Sequence, residues 1–210
     1  MSKVLAVIGA SGHGKVVADL AVTLGFDVVF FDDAYPSKLK VEHWPINGVF
    51  KDFINDNDLY CGAIVAIGNA KARESITNQL NELNIYTPIL QHPSAIVSSY
   101  ASIGGGSVIM PGAVVNAFAS IGIGCIINSN AVIEHDCKLE CFVHVCPCAA
   151  VAGGTIIGKR TWVGIGSNIR QLITIESDVL IGAGSVVVND ISKGTTVGGV
   201  PAKAIKDNNA

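Results

Sequence analysis

From residue 97 to residue 187 an aliphatic side chain recurs at every sixth position: Val97, Ile103, Ile109, Val115, Ile121, Ile127, Ile133, Leu139, Val145, Val151, Ile157, Val163, Ile169, Ile175, Ile181 and Val187. The residue four places further on is usually small, as at Ala101, Ser107, Ala113, Ala119, Cys125, Ala131, Cys137, Ala149, Thr155, Thr161, Ser167 and Ser185. No helix has a six-residue apolar period, and a half-buried strand alternates at every second residue. The pattern describes a chain that runs straight briefly, turns and repeats, which is a solenoid. Three runs make one triangular coil of about eighteen residues, with the aliphatic side chains stacked inside and small residues in the corners. About five coils at roughly 4.8 Å each predict a prism about 25 Å long. Val143, Ile173 and Val179 replace the small residue and predict roomier corners.

The first ninety residues carry a different rhythm. Val4–Ile8 reads as a short buried strand, followed at once by Gly9-Ala10-Ser11-Gly12-His13-Gly14-Lys15. Val16, Val17, Leu20, Ala21 and Leu24 then follow a helical period that stops at Gly25. Val28–Phe31 is a second strand ending in Asp32-Asp33, and Ala63–Ile67 a third ending in Gly68-Asn69. Ala70–Asn84 reads as a helix and Thr87–Leu90 as a last strand, while loop 34–58, with His43 and Trp44, gives no clear pattern. Such alternation predicts an α/β, Rossmann-like domain with a parallel sheet and its ligand at the carboxyl ends of the strands. The expected division is therefore 1–91 and 92–210.

Composition narrows the possibilities. Glycine is abundant at 23 residues and aromatics are only 6%, as a slender solenoid requires. A net charge of −3, with no basic run, argues against a nucleic-acid partner. No apolar stretch is long enough for a membrane span and the first residues read as a strand, so a cytoplasmic protein without membrane insertion is expected. Cys137, Cys141, His144, Cys146 and Cys148 are grouped as metal ligands often are. Yet Cys125 and Cys137 hold the small corner position, where Ser, Ala or Thr would serve, so structural thiols and no metal are expected. Disulfides are not expected in a reducing compartment.

A glycine loop lets backbone N–H groups approach a phosphate at a helix N-terminus. The spacing Gly9, Gly12, Gly14 departs from the dinucleotide fingerprint, and ninety residues are too few for both halves of a dinucleotide. The acidic pair at the end of the second strand suits a ribose hydroxyl or a base N–H. One nucleotide, as in a sugar nucleotide, is therefore preferred to NAD. Lys15 reads as a solvated lysine and His92, before Pro93, as structural.

The hexad pattern over residues 92–203 resembles the left-handed parallel β-helix family, which supplies the handedness. The glycine loop, Phe31-Asp32-Asp33, Ala66-Ile67-Gly68-Asn69, Ile133-Glu134-His135-Asp136 and Gly198-Gly199-Val200-Pro201-Ala202-Lys203 together resemble the bacterial acetyltransferases of nucleotide-linked amino sugars. Those of bacillosamine and perosamine synthesis are the most similar. The resemblance implies acetyl-CoA as co-substrate, a homotrimer with cofactor clefts between neighbours, and direct transfer to a 4-amino-4,6-dideoxy sugar, UDP-linked by preference. It implies His135 as general base, with Asp136 raising its basicity. Asn128 is implied to hold the sugar amine. His144, Gly153, Ile165 and Ala183 are implied to contact acetyl-CoA, with the Gly153 N–H as oxyanion donor; Ala183 stands where a relative has glycine. Ser11, Gly12, His13, Asp32, Asp33 and Gly68 are implied to contact the nucleotide sugar.

Four alternatives stand beside this reading. An O-acetyltransferase acting on a sialic acid or capsule sugar would use the same histidine on a hydroxyl. GDP- and dTDP-linked amino sugars are alternative acceptors. A γ-type carbonic anhydrase needs three histidine ligands where the prism has His135 and His144, and a non-catalytic sugar-nucleotide binder would have no use for His135-Asp136.

Overall fold

The computed structural model describes residues 3–205. The chain forms two compact units, Met1–Leu90 and Gln91–Ala210.

In the first unit, strand β1 (Val4–Ile8) leads into helix α1 (Gly12–Thr23), then β2 (Asp27–Phe31), β3 (Lys40–Val41), β4 (Trp44–Gly48), helix α2 (Phe50–Asn55), β5 (Gly62–Val65) and helix α3 (Ala70–Glu82). The sheet order is β3-β4-β2-β1-β5. All neighbours are parallel except the β3–β4 pair. β1 and β5 are buried along nearly their whole length, as expected of strands covered on both faces. Two glycines of the loop are explained by packing alone. A Cβ on Gly14 would sit 2.2 Å from the Gly9 carbonyl oxygen, and Gly9, at φ +108°, lies against Ile67 and the Ala66 carbonyl.

Two expectations change here. The stretch read as a strand at Thr87–Leu90 is irregular through residue 89, with only Leu90–Gln91 extended and paired. Just before this stretch, the Tyr86 carbonyl accepts from the Ala63 N–H of β5 at 2.9 Å. Loop 34–58 contains the β3–β4 pair and α2. Its pattern was hidden because Pro45 interrupts a strand that alternates in burial at Trp44, Ile46 and Gly48. Phe53 of α2 anchors the segment, edge-on to Phe31 at 5.3 Å.

The second unit is the prism. Each aliphatic residue of the six-residue progression is the second member of a two-residue strand, from Ile96–Val97 to Val186–Val187. Strands eighteen residues apart pair in parallel, such as Val114 with Val132 and Val132 with Ala150. Three sheets result, forming the faces of a left-handed β-helix. The aliphatic row is buried from Ile109 to Val187, and Val97 and Ile103 are half-buried in the first coil. Val143, Ile173 and Val179 are buried in their corners. From Gly106 to Gly184 the second residue of each turn takes the left-handed conformation, as at Asp136, Gly154 and Leu172. A hairpin of Thr196–Gly198 with Lys203–Ala204 closes the end.

Three of the corner hydroxyls share one pattern. Ser107, Thr161 and Ser167 each donate to the carbonyl fifteen residues ahead, at 2.9 Å. Cys125 and Cys137 direct their thiols to the same carbonyls, Glu140 and Ala152, at 3.2 Å. The thiols therefore do a hydroxyl's job, and burial pushes the Cys137 thiol up from its ordinary range. Cys137→Ser is expected to change stability by less than about 1 kcal/mol, since the hydrogen bond is kept. Cys137→Leu overfills the corner and is expected to cost about 1–3 kcal/mol. Thermal unfolding of both variants checks this; equal losses would remove the hydroxyl-like role.

Candidate active site

The predicted residues fall into three places. In the prism all but His144 occupy two edges on either side of one face, the face that includes strands 132–133, 150–151, 168–169 and 186–187.

The first edge carries His135 and Asp136 in the turn after strand 132–133. His135 Nδ1 lies 2.8 Å from Asp136 Oδ2, and both side chains are exposed. An ionised carboxylate only accepts, so the imidazole donates from Nδ1 and turns the bare Nε2 away. Directly above in the stack, eighteen residues on, is Gly153. A Cβ there would lie 2.6 Å from His135 Nε2, so the imidazole rests where any other residue would place its side chain. The Gly153 carbonyl accepts from the Leu172 N–H at 3.0 Å. Among the described residues its N–H meets no acceptor. His135, Asp136, Gly153, Gly154, Gln171 and Leu172 line a cleft of about 250 Å³. Gln171 and Leu172 were missed from sequence. They sit one coil beyond Gly153 and Gly154, so the eighteen-residue period was the signal that could have found them.

The second edge carries the other residues of the predicted cofactor set. Ile165 and Ala183 are one coil apart in its turns and are exposed. The Ile165 carbonyl accepts from the Gly184 N–H at 2.8 Å, and among the described residues its own N–H meets no acceptor. His144 is buried on the adjoining face, edge-on to Trp162 at 4.3 Å. Asn128 Oδ1 accepts from the Ser129 N–H at 2.9 Å, so its amide nitrogen faces His144 Nε2, 3.1 Å away. Nε2 is then the acceptor, and the ring proton is on Nδ1. One prism thus places Asn128 and His144 together and does not bring them to His135.

The third place is the carboxyl end of the sheet in the first unit. Ser11 is the N-cap of α1, yet its side chain makes no capping bond. Gly12 and Gly68 have open space where a Cβ would project, so nothing in the fold requires glycine at either position. Burial, followed by the Arg73 charge, lowers the His13 pKa to about 4, and the ring is neutral at pH 7. Asp32 accepts from the Ala10 N–H at 2.6 Å and the Ala34 N–H at 2.9 Å, one on each oxygen. It spends much of its capacity holding the loop, whereas Asp33 is exposed and, among the described residues, unpaired. Both line a cleft of about 270 Å³ with Gly9, Phe50, Ile67 and Ile76. Apolar walls with an acidic end suit a flat base and its N–H groups. Lys15 pairs with Glu42 on the surface, away from this cleft.

Among the described residues no group of three His, Cys, Asp or Glu side chains is placed to hold a metal ion. No helix among them is long and apolar enough to cross a membrane.

Residues 4–80 match the PglD N-terminal domain family. The chain is similar in structure to the acetyltransferase domain of PglB from Neisseria gonorrhoeae FA1090, with a TM-score of 0.92 and 42% identity over 97% of this chain and all of that one. The same domain has been solved in complex with acetyl coenzyme A. A mutant of perosamine N-acetyltransferase from Caulobacter crescentus, in complex with CoA and GDP-perosamine, is 33% identical with a TM-score of 0.92 over 97% of both chains. The GDP-perosamine N-acetyltransferase of Escherichia coli O157:H7 is 29% identical over 148 residues, covering 68% of this chain. That match spans 66% of the relative's own length.

Proposed function

The chain belongs to the hexapeptide-repeat acetyltransferases that include the PglB acetyltransferase domain and the perosamine N-acetyltransferases, and on that premise we propose that it moves the acetyl group of acetyl-CoA to a nucleotide-linked amino sugar. The acceptor in this reading is the 4-amino group of a 4-amino-4,6-dideoxy sugar. The similarity of the glycine loop and Asp32-Asp33 to the bacillosamine-type enzyme favours the UDP-linked form.

The observation that carries the reading is the His135–Asp136 contact beneath the free Gly153 N–H. A sugar ammonium is not a nucleophile, so the acceptor arrives as, or becomes, the free amine. The amine nitrogen attacks the thioester carbon, and its proton passes to His135 Nε2. In this reading the Gly153 N–H donates to the oxyanion. Collapse of the intermediate forms the amide bond and breaks the C–S bond, and the proton on His135 returns to the sulfur. Asp136 holds the imidazole in the required tautomer throughout. No cysteine is needed as a nucleophile, and Cys146, which burial pushes up to about 11, is a poor one at neutral pH.

The assembly in this reading is a homotrimer. The face between the two catalytic edges presents an outward row of Ile96, Val114, Val132, Ala150, Asn168 and Val186, apolar at all but one position. Beside it Tyr100 stacks on Phe118 at 5.3 Å, with both rings exposed. A neighbouring prism against this face covers apolar surface and brings the second edge of one copy to the first edge of the next.

Thiol release from acetyl-CoA, run against UDP-, GDP- and dTDP-linked 4-amino-4,6-dideoxy sugars and hydroxyl sugars, tests the function. Release with an amino sugar, fastest with the UDP form, is the expected result. The perosamine relatives make the GDP form the second reading. Release with hydroxyl acceptors alone would replace N- by O-acetylation.

A further inference from the structure

We propose that Arg73 is a positioning residue for the nucleotide sugar, holding the Gly68 and Asn69 amides as a pair of outward donors. This rests on the reading that the first unit binds that substrate. Arg73 lies in the first turn of α3 and is only 1% exposed. Its Nη1 donates to the Ile67 carbonyl at 2.7 Å and to the Gly68 carbonyl at 2.9 Å. Both peptides are trans, since the cis bonds are Tyr35–Pro36 and Val200–Pro201. In a trans peptide the carbonyl and the N–H of one plane point in opposite directions. Drawing the Ile67 carbonyl inward therefore turns the Gly68 N–H outward, and drawing in the Gly68 carbonyl does the same for the Asn69 N–H.

Neither amide has an acceptor among the described residues. The space beside the Gly68 Cα is open as well, so a ligand can come close to the backbone. Two consecutive outward N–H groups form a concavity that receives anionic or carbonyl oxygens. The site lies after β5 and next to β1, whose following loop carries Ser11 and Gly12, at the end of the sheet where ligands bind. Asn69 cannot supply this order by itself, because its side chain is committed to the Ala72 N–H at 3.0 Å. A guanidinium is suited to the task because its donors are fixed in a plane. The acceptor is an oxygen of the diphosphate or of the attached sugar.

The test has two arms. In ¹⁵N-labelled wild-type protein, the Gly68 and Asn69 amide resonances are followed as UDP, GDP and then the amino-sugar nucleotide are added. Movement of both amides is expected; their standing still while other residues of the first unit respond would overturn the proposal. In parallel, Arg73→Gln and Arg73→Lys are assayed kinetically. KM for the nucleotide sugar is expected to rise at least tenfold in Arg73→Gln and less in Arg73→Lys, while KM for acetyl-CoA moves less than twofold. A folded Arg73→Gln with an unchanged nucleotide-sugar KM, or with both KM values raised equally, would reduce Arg73 to a buttress of the fold. If neither variant folds, the wild-type resonances decide alone. If no sugar is acetylated but a nucleotide moves both amides, the proposed reaction fails and the positioning role stands.

Discussion

His135→Ala is expected to lower acetyl transfer by at least a hundredfold, the range being about 10²–10⁴ for loss of a general base. The loss belongs in kcat, because the side chain is exposed and supports no part of the core. Its backbone still accepts the Gly154 N–H, a bond at 2.9 Å that alanine retains. Thermal stability is therefore expected to stay close to wild type. The check is thiol release at saturating acceptor, with acetyl-CoA binding measured separately by calorimetry. A variant that binds acetyl-CoA and keeps most of its rate would move the base elsewhere.

Gly153→Ala is expected to cost nearly as much, and for a reason that lies in the stacking of the coils. The added methyl falls 2.6 Å from His135 Nε2 and 2.7 Å from Cε1. Those distances are well inside contact, so the imidazole has to move. Swinging away means giving up the 2.8 Å bond to Asp136, which is what aims Nε2. A displacement of about 1 Å at a reacting group costs on the order of a hundredfold in rate. The backbone itself tolerates alanine, because Gly153 is not among the residues at positive φ. The expected result is a folded protein with an unchanged melting temperature and a kcat lowered by about a hundredfold. Full activity in this variant would mean that His135 works from another rotamer, and the proposed oxyanion placement would fall with it.

These two residues show how unevenly the site could be read from sequence. His135-Asp136 is a contiguous pair and was legible as a motif. The resemblance gives Gly153 only as a backbone donor; its steric role toward His135 spans eighteen residues and emerges only when coils are stacked. Gln171 and Leu172 were legible in principle, because the same period that placed Gly153 places them one coil further on. Arg73 gave no signal, since an arginine in the first turn of a predicted helix reads as solvated until the helix is seen packed over the Ile67–Gly68 turn. Asp32 reads as a ligand contact from sequence, and in the structure one of its oxygens also holds the Ala10 amide of the glycine loop and the other the Ala34 amide.

The sequence by itself determined the prism. Each hexad specifies its own short strand, corner and inward residue, so a local repeat suffices to define the stack and assign every turn to one of three edges. It also determined the strand–helix alternation of the first unit, because hydrophobic periodicity and glycine punctuation act within a few residues. Tertiary structure decided the rest. The thiols of Cys125 and Cys137 proved equivalent to hydroxyls because carbonyls fifteen residues away receive them. Loop 34–58 became strand and helix because β2 offered an edge and Phe31 offered a ring to pack on. The imidazole of His135 came to rest over Gly153 because the closed coil sets the direction of side chains in neighbouring turns. Each of these outcomes depends on groups distant in the chain, whose meeting is fixed by packing and by satisfied hydrogen bonds rather than by local preference.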